Sequence, residues 1–193
     1  MNRIVLAAMT GAAMLAGCKA KEMPATAPLA ADMVDESRAQ KMASALIAAQ
    51  DAEQRADAQA LGDALRRLDA LGAKPVGEAA SAEMRRWAAL APPGMPPMRG
   101  RALGPGFRVG NLAPEGSRVF EQTFLAGKRA SIVATAGGGM PLVLRVAADD
   151  TDPLCQRTAP RSSCNWTPLY TRRYSITLTN PGRKVRRYYL VIE

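Results

Sequence analysis

Through the first half of the chain, apolar residues recur at helical spacing. Residues 31–71 contain no proline and one glycine, Gly62, and Met42, Leu46 and Ala49, then Leu61, Leu65, Leu68 and Leu71, fall on one face. The pattern predicts one long amphipathic helix. Asp32 is its expected N-cap, with Asp35 and Glu36 in a first turn where the helix dipole favours carboxylates. Gly72-Ala73-Lys74-Pro75 should stop it, because glycine takes the left-handed conformation just past a last turn and proline cannot continue the ladder. A second helix is expected from Val76 or Gly77 to Leu90, with Ala80, Met84, Trp87 and Leu90 on one stripe, so residues 31–91 read as a helical hairpin. Its faces are alanine and leucine without a continuous heptad seam. Such a hairpin is expected to pack on itself or on the domain that follows.

The period then changes. The run 91–98, Ala-Pro-Pro-Gly-Met-Pro-Pro-Met, fits neither a helix nor a central strand, and residues 92–105 read as a semi-rigid linker. Beyond it, short β-branched or aromatic runs occupy 119–124, 130–136, 142–147, 174–179 and 187–192. Turn signals punctuate them, among them Gly137-Gly138-Gly139, Asp149-Asp150-Thr151-Asp152-Pro153 and Asn180-Pro181-Gly182. Residues 106–193 are therefore expected to form an antiparallel β-sandwich. In Tyr174-Ser175-Ile176-Thr177-Leu178-Thr179 the alternation is clean, one face buried and the other wet.

The start of the chain carries a different signal. A short basic beginning with Arg3 leads into an apolar run over residues 4–16, too short to span a bilayer at about 20 residues but of signal-peptide length. It closes in Leu15-Ala16-Gly17-Cys18, which resembles the lipobox of bacterial lipoproteins. The resemblance implies a signal peptide at 1–17 and a lipidated tether at 18–30, rich in Ala, Pro and charge. Cys18 would then carry a diacylglyceryl thioether and an N-acyl chain such as palmitate, and two or more chains anchor stably. Lys19 after the cysteine leans, by analogy with enterobacterial sorting, towards the outer membrane, facing the periplasm. In such an oxidising compartment Cys155 and Cys164, separated by a loop-like stretch, are expected to form a disulfide.

Residue order in the second half, from Phe120-x-x-x-Phe124-x-Ala126-Gly127 through Cys164-Asn165-Trp166-x-Pro168 to the terminal Tyr189-Leu190-Val191-Ile192, resembles the bacterial pre-peptidase C-terminal domain and related jelly rolls. The resemblance rests on Phe120-x-x-x-Phe124-x-Ala126-Gly127, the strands Ser131-Ile132-Val133-Ala134 and Leu142-Val143-Leu144-Arg145-Val146, and the acidic turn at Asp149 and Asp150. Cys164-Asn165-Trp166-x-Pro168, the run from Tyr174 to Asn180 and the terminal Tyr189-Leu190-Val191-Ile192 complete it. The fold class expected is thus α+β: an N-terminal helical hairpin followed by an antiparallel jelly-roll-like β-sandwich.

Charge sharpens the picture. The chain carries a net +9, and almost all of it belongs to residues 99–193, with fifteen Lys/Arg against six Asp/Glu. A field of that sign favours anionic neighbours such as acidic glycan, lipid head groups or an acidic envelope protein; nucleic acid is not expected in the periplasm. Arg172, Arg173, Arg183, Lys184, Arg186 and Arg187 are the candidate anionic-ligand patch, and Trp166 with Tyr170 the candidate aromatic contact for a sugar ring, although a tryptophan beside a disulfide also serves to plug a core. Asp149, Asp150 and Asp152 are a weak calcium candidate without EF-hand spacing.

Catalytic chemistry has little to draw on. Histidine is absent, which removes the commonest general base and metal ligand, and neither a nucleophile with a base nor a phosphate loop is recognisable. Together these features predict a non-enzymatic cell-envelope lipoprotein, without cofactor, acting as a binding or structural module. An accessory or inhibitory subunit of a secreted peptidase or glycanase is the alternative.

Overall fold

The computed structural model describes residues 36–93, 104–148 and 152–193. The leader, Cys18, the tether, Asp32, Asp35, most of the linker, Asp149 and Asp150 lie outside the described residues. Those described belong to one compact unit.

Among the described residues, three α-helices lead the fold. α1 (Arg38–Gln54) and α2 (Ala58–Leu71) pack against each other as the N-terminal helical pair, and α3 (Glu78–Leu90) follows. The long helix expected over 31–71 is thus broken at residues 55–57, where Ala56 adopts φ 53° and Asp57 caps α2 by accepting from the Ala60 amide at 2.9 Å. Length explains the break. A helix of that span would run about 60 Å, whereas an eight-residue strand covers about 27 Å, so folding back buries Leu61, Leu65 and Leu68. Ser37, not an aspartate, opens α1: its Oγ accepts from the Gln40 amide at 3.2 Å while the Gln40 side chain accepts from the Ser37 amide at 2.8 Å, a reciprocal cap. Gly72, at φ 72°, ends α2 as the sequence predicts.

Among the described residues, nine strands follow the helical pair. β1 (Lys74–Pro75), β2 (Gly106–Leu112), β4 (Ala130–Ala136), β7 (Arg161–Trp166) and β9 (Arg186–Ile192) form one sheet in the order β1-β2-β9-β4-β7. β3 (Ser117–Phe124), β5 (Leu142–Ala147), β6 (Cys155–Ala159) and β8 (Arg172–Thr179) form the second, in the order β3-β8-β5-β6. All pairings are antiparallel except β1 with β2. The α+β sandwich expected from the sequence is the architecture observed.

Two cores result. Between the sheets lie Ile132, Ala134, Leu144, Ile176, Leu178 and Leu190. The outer face of the first sheet is covered by the helices, with Val133, Tyr189, Val191 and Phe107 packed against Met42, Leu46, Leu65 and Trp87. β4 is consequently buried at every position. Alanines at 39, 43, 45 and 49 let α1 lie close to the sheet and still pack on α2.

The segment between Cys155 and Cys164 is not the loop its composition suggests. It is two strands, β6 and β7, turning at Pro160. Because these strands are the edges of opposite sheets, the Cys155–Cys164 disulfide ties the two sheets together along one seam. Beneath the turn, the buried Ser162 hydroxyl donates to the Leu142 carbonyl at 3.0 Å and accepts from the Ala159 amide at 3.0 Å.

A candidate anion-binding groove

The opposite seam of the sandwich, where β2 faces β3, has no disulfide. Strand alternation sends Phe107 and Val109 towards the helices and turns Arg108, Gly110 and Leu112 towards the second sheet. On β3 the same alternation aims Arg118, Phe120, Gln122 and Phe124 inward. The two guanidiniums therefore converge on one ring: Arg108 Cζ lies 5.9 Å and Arg118 Cζ 5.8 Å from the Phe120 centroid. Tyr188 of β9 meets Phe120 edge to face at 6.0 Å. Burial pushes the Tyr188 phenol above its ordinary value, and the two arginines oppose part of that rise.

Gly110 makes room for this arrangement. A Cβ there would stand 2.7 Å from the Tyr188 hydroxyl oxygen, so only glycine lets the phenol cross β2. The groove so formed encloses about 300 Å³, bounded on its outer side by Gly77, Glu78 and Ala79 at the start of α3. Gly77 caps that helix without a side-chain hydrogen bond, so unsatisfied amides and the positive end of the dipole face the same space as the arginines. Arg108 also borders a neighbouring 230 Å³ recess with Lys74 and Gln122. Glu78 stands at the rim, engaged by Arg85 at 2.6 Å. Among the described residues no carboxylate pairs with Arg108 or Arg118 in the manner of the other arginine ion pairs. Inward charges at a sheet edge also oppose edge-to-edge association.

The basic residues expected to form one patch are distributed. Arg172 and Arg173 begin β8, whereas Arg183 and Lys184 follow its far end, a strand length of about 25 Å away. Arg172 stacks over Tyr174 at 5.6 Å, and Arg173 pairs with Glu121 at 3.0 Å. Arg183 and Lys184 are exposed in the β8–β9 turn, which the buried Asn180 amide holds by donating to the Ala113 and Lys184 carbonyls at 2.9 and 2.8 Å. Arg186 faces the sandwich interior, and Arg187 faces the helices, where its guanidinium engages the buried Glu83.

Glu83 sits where the sequence stripe predicts apolar contact. Ala80, Glu83 and Trp87 are the buried positions of α3, while Leu90 is half exposed. Its carboxylate accepts from Tyr189 at 2.8 Å and pairs with Arg187 and, at 2.8 Å, with Arg86. Arg86 also pairs with Glu53 of α1 at 2.6 Å, and the Trp87 indole donates to the same carboxylate at 2.9 Å. The Arg86 hydrogen bond holds Glu53 below the ordinary carboxylate value, burial opposing it, and raises Arg86 in return. Tyr189 is raised by burial first and by Glu83 second.

Trp166 packs against Phe124 at 4.9 Å and Tyr174 at 5.3 Å, at the end of the inter-sheet core. Tyr170 is separate and exposed, so the two do not form one platform. Asp152 alone of the calcium candidates is described, and it is exposed. Among the described residues no helix is long and apolar enough to cross a membrane.

No protein-family model matches the chain, and no curated protein matches it. Among solved structures, the pre-peptidase C-terminal domain of collagenase from Bacillus anthracis matches at 12% identity and TM-score 0.40, over 45% of this chain and 87% of that one. The Yersinia pseudotuberculosis-derived mitogen matches at 13% and 0.37, over 46% and 84%. Aeromonas hydrophila PliG, a periplasmic inhibitor of g-type lysozyme, matches at 12% and 0.36, over 63% and 94%. Likeness at this level says nothing about activity or ligand.

Proposed function

We propose that the chain is a non-catalytic cell-envelope lipoprotein, anchored through Cys18, whose sandwich binds an anionic glycan in the Arg108–Arg118 groove. The convergence of two guanidiniums on Phe120, in a cavity that also receives the uncapped start of α3, carries this reading. Guanidiniums grip carboxylate, sulfate or phosphate through paired N–H donors, and a partly enclosed setting strengthens each bond over its value in water. The groove's remaining polar groups are amides and a phenol. Its one carboxylate, Glu78, is at the rim and already paired, so no general base is poised against a bound ligand.

Calorimetric titration with a sulfated heparin oligosaccharide and with neutral dextran tests the proposal. Heparin should bind with an affinity that falls as salt rises, and dextran should not bind. Arg108→Gln and Arg118→Gln should each weaken heparin binding about tenfold, the loss of one charge-assisted hydrogen bond, while Arg129→Gln, exposed beyond the opposite end of β3, should change it little. Equal losses for all three variants would reduce the effect to net charge and sink the groove assignment.

A further inference from the structure

At the end of the sandwich where β3 passes into β4, the connections present apolar side chains to solvent. The β3–β4 turn, residues 125–129, and the β7–β8 connection, residues 167–171, are joined by two hydrogen bonds: the Gly127 amide donates to the Pro168 carbonyl at 2.8 Å, and the Ala126 amide to Thr171 Oγ1 at 3.0 Å. Leu125, Leu169 and Tyr170 project from this pair at 59%, 84% and 73% exposure, and none belongs to either core. Large apolar side chains gathered on exposed turns mark a surface that meets something.

We propose that this end is a membrane-docking tip, with Leu125, Leu169 and Tyr170 entering the head-group region of an anionic phospholipid bilayer. The charge around them fits that occupant. Lys128 and Arg129 stand in the same turn, Arg172 and Arg173 follow directly in β8, and neither connection contains a carboxylate. Basic residues at a bilayer surface are attracted to acidic lipid, and a tyrosine with an apolar body and a polar end suits the interface. Asp152, three residues before β6, is at this end too but beyond β8 and β5 from β3.

The C-terminal end of β9 lies at this end of the sandwich, where Ile192 pairs with Ile132. Arg38, in the first turn of α1, pairs with Glu193 at 3.8 Å, and the Glu193 backbone exchanges two 2.9 Å hydrogen bonds with Ser131, the second residue after the β3–β4 turn. The tip is independent of the Arg108–Arg118 groove.

Depth-dependent fluorescence quenching tests it, using the full chain purified from membranes and reconstituted in vesicles with brominated acyl chains. Leu169→Trp is compared with Val119→Trp, an exposed position along β3, so that Trp87 and Trp166 contribute equally to both. With phosphatidylglycerol present, the tryptophan at 169 should be quenched and the one at 119 should not; Lys128→Glu with Arg129→Glu should abolish the quenching. Equal quenching of both, or none at 169, overturns the tip. Vesicle flotation reads the anchor separately. A chain that floats without quenching at 169 keeps the anchor and loses the tip, and one that neither floats nor is quenched loses both.

Discussion

The Tyr189 hydroxyl donates a 2.8 Å hydrogen bond to Glu83, joining β9 to the middle of α3 across 106 residues of sequence. Arg187 and Arg86 approach the same carboxylate, so three donors from two elements satisfy one buried acid. The helix is thereby fixed in position on the sheet, and the start of α3 is held at the arginine groove.

Removing that acid should be costly. Glu83→Ala leaves Arg187 and the Tyr189 hydroxyl without their partner and should lower unfolding free energy by about 3–5 kcal/mol in urea titration. Glu83→Leu combined with Arg187→Met and Tyr189→Phe should recover most of the loss, because an apolar cluster of similar volume carries no desolvation cost. A triple variant no more stable than Glu83→Ala would mean that packing, not charge pairing, dominates there.

Acid should loosen the contact between α1 and α3 through Glu53. Its carboxyl titrates lower in the folded chain than its ordinary value of 4.5, so the stabilisation is complete above that value and is lost as pH falls through the lower folded one. With Arg86 46% exposed, the contribution is modest, about 1 kcal/mol. Glu53→Gln should be less stable than the parent at neutral pH, and the two curves should converge in acid. A constant offset across the whole range would contradict the linkage.

The disulfide should matter more than its short loop suggests to the eye. Replacing both cysteines by serine is expected to remove about 2–3 kcal/mol, seen as a lower urea midpoint, since the cross-link restricts the unfolded chain. Added reductant should bring the parent down to the variant and leave the variant unchanged.

Intact-mass spectrometry of the protein from its native membrane should find a chain beginning at Cys18 with a diacylglyceryl increment, absent from Cys18→Ser. An unmodified mass in the parent would remove the envelope setting and return nucleic acid to the candidates for the basic half.

Much of the fold was legible because periodicity reports burial. The runs at 130–136 and 142–147 coincide with β4 and β5, and those at 119–124, 174–179 and 187–192 fall within β3, β8 and β9. β6 and β7 were hidden because their polar residues, among them Arg157, Thr158 and Arg161, stand on edge strands and need no apolar alternation. The break at Ala56 carries no Gly or Pro to announce it, although Ser37 with Gln40 was a readable cap. Linear proximity grouped Arg183 to Arg187 as one patch, and strand alternation divided them between two faces. Arg108 and Arg118 went unnoticed for the converse reason. The signal was the inward register of Arg118-x-Phe120-x-Gln122-x-Phe124, where a charge occupies a position that continues into core aromatics.

The place of β9 has a further bearing on how the chain comes together. It is the last of the described strands, yet it lies between β2 and β4 and pairs with both. Its residues Arg187 and Tyr189 also complete the seat of α3. Until residues 186–192 are available, the first sheet is two separate pieces and the helices have no finished surface to rest on. Pairing across so much sequence is expected to be the slow step in assembling this unit, because loop closure must precede the contacts that reward it.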